Sequence, residues 1–197
     1  METNFIALDL ELNNNEENNL PERKIIQVGV AVGNISQKQT EYYTEHWFIN
    51  PNEPIYPYIT NLTGITDDDV INKSVSHQQI ANEISDLIDN YNCYVNPVTW
   101  GGGDVDDLKK EFADRDVFFK KFGRREIDVK TLNTFLMISQ GKSTSSSLKS
   151  AMGRLKMQFM GQPHRAHVDA SNTLALFFGM VRRQSKIENF VENVRLV

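Results

Sequence analysis

At 197 residues, 40% of them hydrophobic and 24% charged, the chain has the size and mix of one soluble globular domain with a sizeable core. Its net charge of −5 excludes long-range attraction to a many-phosphate polyanion, though not a polyanionic substrate held at one local site. Its single cysteine, Cys93, excludes an internal disulfide and a cysteine-built zinc cluster.

The first predicted element is a strand over residues 4–12, apolar at Phe5, Ile6, Ala7, Leu8 and Leu10 but carrying Asp9 and Glu11. The period of two puts both acids on one face. Two carboxylates on an otherwise apolar strand are costly unless positive charge meets them, and a divalent cation is the simplest source. The polar stretch NNNEENNLPE predicts a loop. Its residues 13–19 either cover a substrate or form a polar loop with no such role. A β-branched strand follows over 24–33 (KIIQVGVAVG), then a third over 41–49 with Tyr42, Tyr43, Trp47 and Phe48. Asn50-Pro51 ends that strand, and Pro51, Pro54 and Pro57 mark a loop. Thr66 is a natural N-cap for a helix opening on Asp67, Asp68 and Asp69, acids that suit the helix dipole. A second helix over 76–90 sets Ile80, Ile84, Leu87 and Ile88 at helical spacing.

Residues 94–100 predict a short strand that runs into Gly101, Gly102 and Gly103, and a helix covers 105–114. A last strand over 126–129 leads into a helix over 131–139. The serines from Ser143 to Ser147 cap a helix through Leu155. The final helix, 166–183, presents Ala170, Leu174, Phe177 and Val181 as an apolar stripe. Three strands followed by alternating helix and strand predict an α/β fold with a mixed central sheet flanked by helices. No repeat or second domain is visible, so residues 1–197 are read as one domain. The opening METNFIALDLEL lacks a basic leader and no apolar run reaches spanning length. A cytoplasmic protein that does not engage a membrane is expected.

The chemistry-bearing residues are spread along the whole chain. Besides Asp9 and Glu11, Asp104 follows the three glycines, whose backbone freedom lets a carboxylate approach a ligand closely. Asp106 and Asp107 compete with it, as acids of a first helical turn. Near the end, HRAHVD supplies His164, His167 and Asp169. Carboxylates without paired cysteines favour hard ions such as magnesium or manganese over zinc. Two such ions, which would nearly neutralise the chain, clamp both oxygens of an in-line phosphoryl displacement from ~4 Å apart. A histidine accepts a proton from water near neutral pH. Together these read as metal-assisted phosphodiester hydrolysis.

The ordered set resembles the DEDDh 3′→5′ exonucleases, which include proofreading exonucleases, RNase T and oligoribonuclease. IALDLELN carries Asp9 and Glu11, VTWGGGDVDDL carries Asp104, and HRAHVDA carries His164 and Asp169; the match spans residues 4–182. LTGIT at Leu62 to Thr66 is similar to a loop of that family in which an apolar residue abuts the terminal base. The resemblance implies an RNase H-like fold and two metal ions, Mg2+ or Mn2+, held by Asp9, Glu11, Asp104 and Asp169. It also implies His164 as general base and 3′→5′ polarity on single-stranded RNA or DNA 3′ ends. Its register selects Asp104 over Asp106 and Asp107, and His164, five residues before Asp169, over His167, which becomes a surface or packing residue.

For substrate contacts, Leu12 and Ile65 are candidate base-packing residues, with ordinary core packing as the alternative. Trp100 is either a base-stacking ring or a buried strand end. Arg165, beside His164, is the candidate phosphate contact, while Arg124, Arg125 and Arg154 read as solvated charge. Gly141-Lys142-Ser143 fails as a phosphate-binding loop, because Leu136 stands where that motif needs glycine. An oligoribonuclease-like hydrolase of very short strands and an inactive nucleic-acid-binding module on the same fold are the rival functions. A homodimer and the choice between RNA and DNA are left open by the sequence.

Overall fold

In the computed structural model, which describes residues 3–14 and 23–195, the strands form one five-stranded mixed sheet of order β3-β2-β1-β4-β5. The strand β1 (Phe5–Asn13) pairs antiparallel with β2 (Lys24–Gly33), which pairs antiparallel with β3 (Tyr43–Phe48). On the other side of β1, β4 (Val98–Thr99) and β5 (Ile127–Asp128) run parallel to it. The fourth strand is far shorter than the 94–100 its apolar residues suggest. Pro97 has no N–H to give a ladder, and Tyr94 and Val95 are exposed. The segment 15–22, with most of the asparagine-rich loop considered as a substrate cover, lies outside the described residues.

Seven helices are described. Pro57, read above as part of a loop, instead opens α1 (Pro57–Thr63), and Gly64 ends it in the left-handed conformation at φ 69°. Proline suits the first helical position, where its missing N–H has no intrahelical partner anyway. Thr66 caps α2 (Asp67–Asn72) by accepting from the Asp69 N–H, and Ser76 caps α3 (His77–Asn90) in the same way. Next come α4 (Asp104–Asp114), α5 (Val129–Ser139), α6 (Leu148–Arg154) and α7 (Ala166–Arg195). Asp128 caps α5, so that helix starts two residues earlier than expected. The last helix runs well past 183, with no glycine or proline after Gly179 to stop it. No helix of the described residues is long and apolar enough to cross a membrane.

The alternation of β1 divides the core and places the acids. Ile6, Leu8 and Leu10 face α3 and α4, packing with Ile80, Ile84, Leu108 and Phe112. Ala7 faces the opposite way, with Ala31 and Val98, against Ala170, Leu174 and Phe178 of α7. By the same period, Asp9 and Glu11 share the face of Ala7 and look toward the helix that carries Asp169. A register shift in the β1–β2 ladder falls between Glu11 and Leu12, a kind of irregularity that ends regular pairing and re-aims side chains.

Candidate active site

The start of α7 is seated directly over the acidic end of β1. Gly29, paired with Asp9 across the ladder, leaves room for this. A Cβ at Gly29 would stand 2.1 Å from the Ala166 carbonyl carbon and the His167 nitrogen. Gln27, paired with Glu11, uses its Oε1 to accept the Ala166 N–H at 2.9 Å. That bond satisfies one of the N–H groups that a helix start leaves without a partner. Asp169, in the first turn of α7, thereby comes to rest beside Glu11. Ligand atoms of Glu11, Asp169 and His164 all lie within 4.8 Å of one another, a grouping able to hold a metal ion.

His164 precedes the helix in the left-handed region at φ 60°. Its backbone N–H donates to Asp169 Oδ2 at 3.1 Å, while Asp169 Oδ1 is buried with no partner. Arg165 reaches away from the helix to donate from Nη2 to the Gly64 carbonyl at 3.1 Å. It thus ties the LTGIT loop to the histidine segment. Asp104 is the first residue of α4, behind Gly103 at φ 117°, a conformation that favours glycine. Its charge acts on Asp9, although it lies outside the grouping of Glu11, His164 and Asp169.

The electrostatics are those of a site short of positive charge. Burial pushes the Asp9 carboxyl well above the usual carboxylate range, and the negative charges of Asp104, Glu11 and Asp169 push it further. Glu11, 8% exposed, is raised to about 8 by burial and then by Asp169 and Asp104, with Arg165 opposing. Asp104 is raised to about 7 by burial, then by Glu126 and Asp107, with Arg23 opposing. Burial also raises Asp169. Buried carboxylates whose affinity for protons is raised, Asp9 and Glu11 by their acidic neighbours as well as by burial, have an equal reason to take a divalent cation instead. Their oxygen donors and the unpartnered Oδ1 of Asp169 fit a hard ion.

Asp9, His164 and Asp169 line a cleft of about 320 Å3 together with Trp100, Ser147, Leu148, Lys149, Phe159 and Pro163. Trp100 therefore shares the cleft with three residues of the acidic centre. Ile65 does not: it is fully buried with Ile26, Phe48, Ile55, Ile59 and Val70, where the short α1 covers the sheet edge. Core packing is its role here, in place of contact with a base. Leu12 is half-buried and packs against the cluster under α3 and α4. His167 stacks on His46 with ring centroids 4.4 Å apart, a packing position. Asp106 is exposed and Asp107 half-buried in the first turn of α4. Sequence reasoning missed Phe159, Lys149, Glu126 and Gln27. Only Glu126, an acid next to the predicted last strand, carried a readable signal.

An exonuclease family model (RNase T) matches residues 6–177. No curated protein sequence matches the chain significantly. Among solved structures, the nuclease domain of 3′hExo, a DEDDh family member bound to rAMP, aligns with a TM-score of 0.76 at 19% identity, over 92% of this chain and 93% of that one. A 3′-exonuclease in 3′-end specific recognition of a histone mRNA stem-loop aligns with a TM-score of 0.75 at 20% identity, over 92% and 83%. Cell-death related nuclease 4 gives a TM-score of 0.76 at 13% identity, over 92% of this chain and 64% of that one.

Proposed function

Because the chain belongs to the DEDDh exonuclease family, we propose that it hydrolyses phosphodiester bonds at the 3′ end of single-stranded nucleic acid, RNA or DNA. Asp9, Glu11, Asp104 and Asp169 would hold two divalent ions, Mg2+ or Mn2+, and His164 would act as general base. The observation that carries this reading is the gathering of Glu11, Asp169 and His164 ligand atoms within 4.8 Å of one another, beside Asp9, whose carboxyl is raised by burial and by Asp104, Glu11 and Asp169. Such a grouping is costly for the fold by itself and has a direct use in holding cations.

When bound, the ions supply positive charge for the phosphate oxygens and lower the pKa of the attacking water. The chain's own residues do the rest. His164 takes the water's proton on an imidazole nitrogen, and the water oxygen forms the new bond to phosphorus. The bond from phosphorus to the 3′ oxygen of the remaining strand breaks, that oxygen takes a proton from solvent and becomes the new 3′-hydroxyl, and a nucleoside 5′-monophosphate is released. Asp169 holds the His164 backbone by accepting its N–H. Arg165 keeps the segment braced against Gly64.

Digestion of matched single-stranded RNA and DNA, labelled at either end, with magnesium or manganese tests this. Stepwise loss from the 3′ end is expected, abolished in Asp9→Ala and Asp169→Ala. Wild-type activity in either purified, folded variant sinks the assignment. A second reading, a hydrolase of very short oligonucleotides, is favoured by the cleft volume of about 320 Å3, near the lower bound of ligand sites, and by the acidic balance of the chain. A substrate-length series separates the two.

A further inference from the structure

The cleft beside the acids holds more than the metal-binding chemistry requires. Of its nine lining residues, Asp9, His164 and Asp169 belong to the acidic centre. The others form a mainly apolar wall of Trp100, Leu148, Phe159 and Pro163, with Lys149 and Ser147 as its remaining polar groups. Trp100 and Phe159 are half-buried and Lys149 is exposed. Both rings are held from behind, packed against the core cluster of α5, α6 and α7. They therefore present fixed surfaces to the cavity at little further entropic loss on binding.

We infer that Trp100 and Phe159 form a stacking subsite for one nucleobase of the substrate strand, with Lys149 as the cation for its phosphate. The inference rests on the nuclease reading above and assigns the strand a place within it. Three features point to a nucleotide over another occupant. The volume, about 320 Å3, sits at the small end of ligand sites and suits a single unit of a polymer. Aromatic walls accept any base through its π-face, which gives a strand-trimming enzyme the sequence tolerance it needs. A lysine meets a phosphate as a point charge, and here it lies in the same cavity as the acids that face the reacting phosphate. The subsite also explains how a chain of net charge −5 retains a polyanion: stacking and a local cation substitute for a basic surface.

The two tryptophans make the test direct. Trp47 is 6% exposed and its Nε1 donates to Glu83, so it is shielded from ligand. Trp100 is then the reporter. With an oligoadenylate octamer and calcium as the ion, intrinsic fluorescence of the full chain should fall on binding. The change should vanish in Trp100→Phe. By anisotropy of a labelled octamer, Phe159→Ala should weaken binding about ten-fold, the lower end of what lost base–aromatic stacking produces. Phe159→Leu, which keeps apolar bulk without the ring, should weaken it similarly and guards against a folding defect, while Phe159→Tyr should restore it. Lys149→Gln should reduce the salt slope of binding by about 0.7, one phosphate contact on a single strand. If the protein binds and trims single strands but both Phe159 variants stay within two-fold of wild type and fluorescence does not move, the subsite is wrong and the nuclease reading stands. If the wild-type protein neither binds nor cleaves, the reading falls and takes the subsite with it.

Discussion

Glu11→Gln should stabilise the metal-free protein, by an amount that depends on pH. In the folded chain the Glu11 carboxyl is raised from 4.5 to about 8, by burial first and then by Asp169 and Asp104. A carboxyl raised on folding contributes stability that is fully present below its unfolded value and is lost as pH climbs through the folded one. Each pH unit in that window costs about 1.4 kcal/mol per proton. Between 4.5 and neutral pH the loss is therefore about 3 kcal/mol, since the native site stays protonated while the unfolded chain ionises. Glutamine keeps the shape and removes the proton linkage. In EDTA at pH 7 the variant should melt roughly 6–12 °C above wild type, at about 2–4 °C per kcal/mol for a domain of this size. The gap should close near pH 4. Manganese should close most of the gap, raising wild type by about 2.7 kcal/mol at a hundred times its dissociation constant and the variant far less. Scanning calorimetry from pH 4 to 8, with and without manganese, measures all three. A metal-free variant that melts at or below wild type at pH 7, or a gap that does not change with pH, refutes the argument that burial and acidic neighbours raise the Glu11 carboxyl in the fold.

Three further outcomes follow from named contacts. His164→Gln should lower kcat about 10²- to 10⁴-fold, the range general-base catalysis supplies, with the melting temperature within a degree or two of wild type because the side chain is exposed; steady-state kinetics and a thermal melt check both. Gly29→Ala should cost roughly 1–3 kcal/mol in denaturant unfolding and lower activity with it, because the added Cβ meets the backbone of Ala166 and His167 at 2.1 Å. Arg165→Met removes the brace to Gly64 that holds the segment carrying His164 beside the acids; a metal titration of activity should show the half-saturating manganese concentration rising about ten-fold, with the maximal rate recovered at excess metal.

Much of the sheet was legible because its signal is local. β1 and β2 are strongly β-branched or apolar runs of strand length, and their limits differ from expectation by at most a residue at each end. Elements whose limits depend on tertiary pairing were not. β4 has only two ladder residues, because Pro97 cuts a run that looks continuous by hydropathy. α1 was hidden by Pro57, which marks a turn as readily as a first helical residue; the choice is made by Ile59, buried against Ile55 and Ile65. Of the site, the acids were readable because carboxylates in apolar or glycine-rich contexts are chemically anomalous wherever they fall. Phe159 and Lys149 carry no such anomaly. An aromatic and a lysine are ordinary residues until a cavity places them beside Asp9 and Asp169. Ile65 failed for the converse reason: an isoleucine in a loop phrase can face ligand or core, and only its full burial decides.

How Asp9, near one end of the chain, meets Asp169, near the other, depends on residues that bear no charge. The acids of β1 face α7 by strand alternation, but a helix approaches a sheet closely only where side chains permit. Gly29 supplies the gap and Gln27 the hydrogen bond, each on the β2 residue paired with an acid. Those two positions convert a register into a distance. They also set the price of the site, since closer approach of α7 increases the repulsion among the carboxylates it completes. The apolar contacts of Ala170, Leu174 and Phe178 behind the acids offset that repulsion, at about 25 cal/mol for each Å2 of apolar surface buried. Cations bound at the acids would therefore stabilise the same seating of α7 as this apolar face, one by charge and the other by burial. Chelation should loosen the start of α7 before any other part of the sheet. Hydrogen exchange with and without EDTA reads this at Ala166, whose N–H is held only by Gln27 among the described residues. Uniform loosening across β1, β2 and α3 would instead mean that the ions act on the fold as a whole.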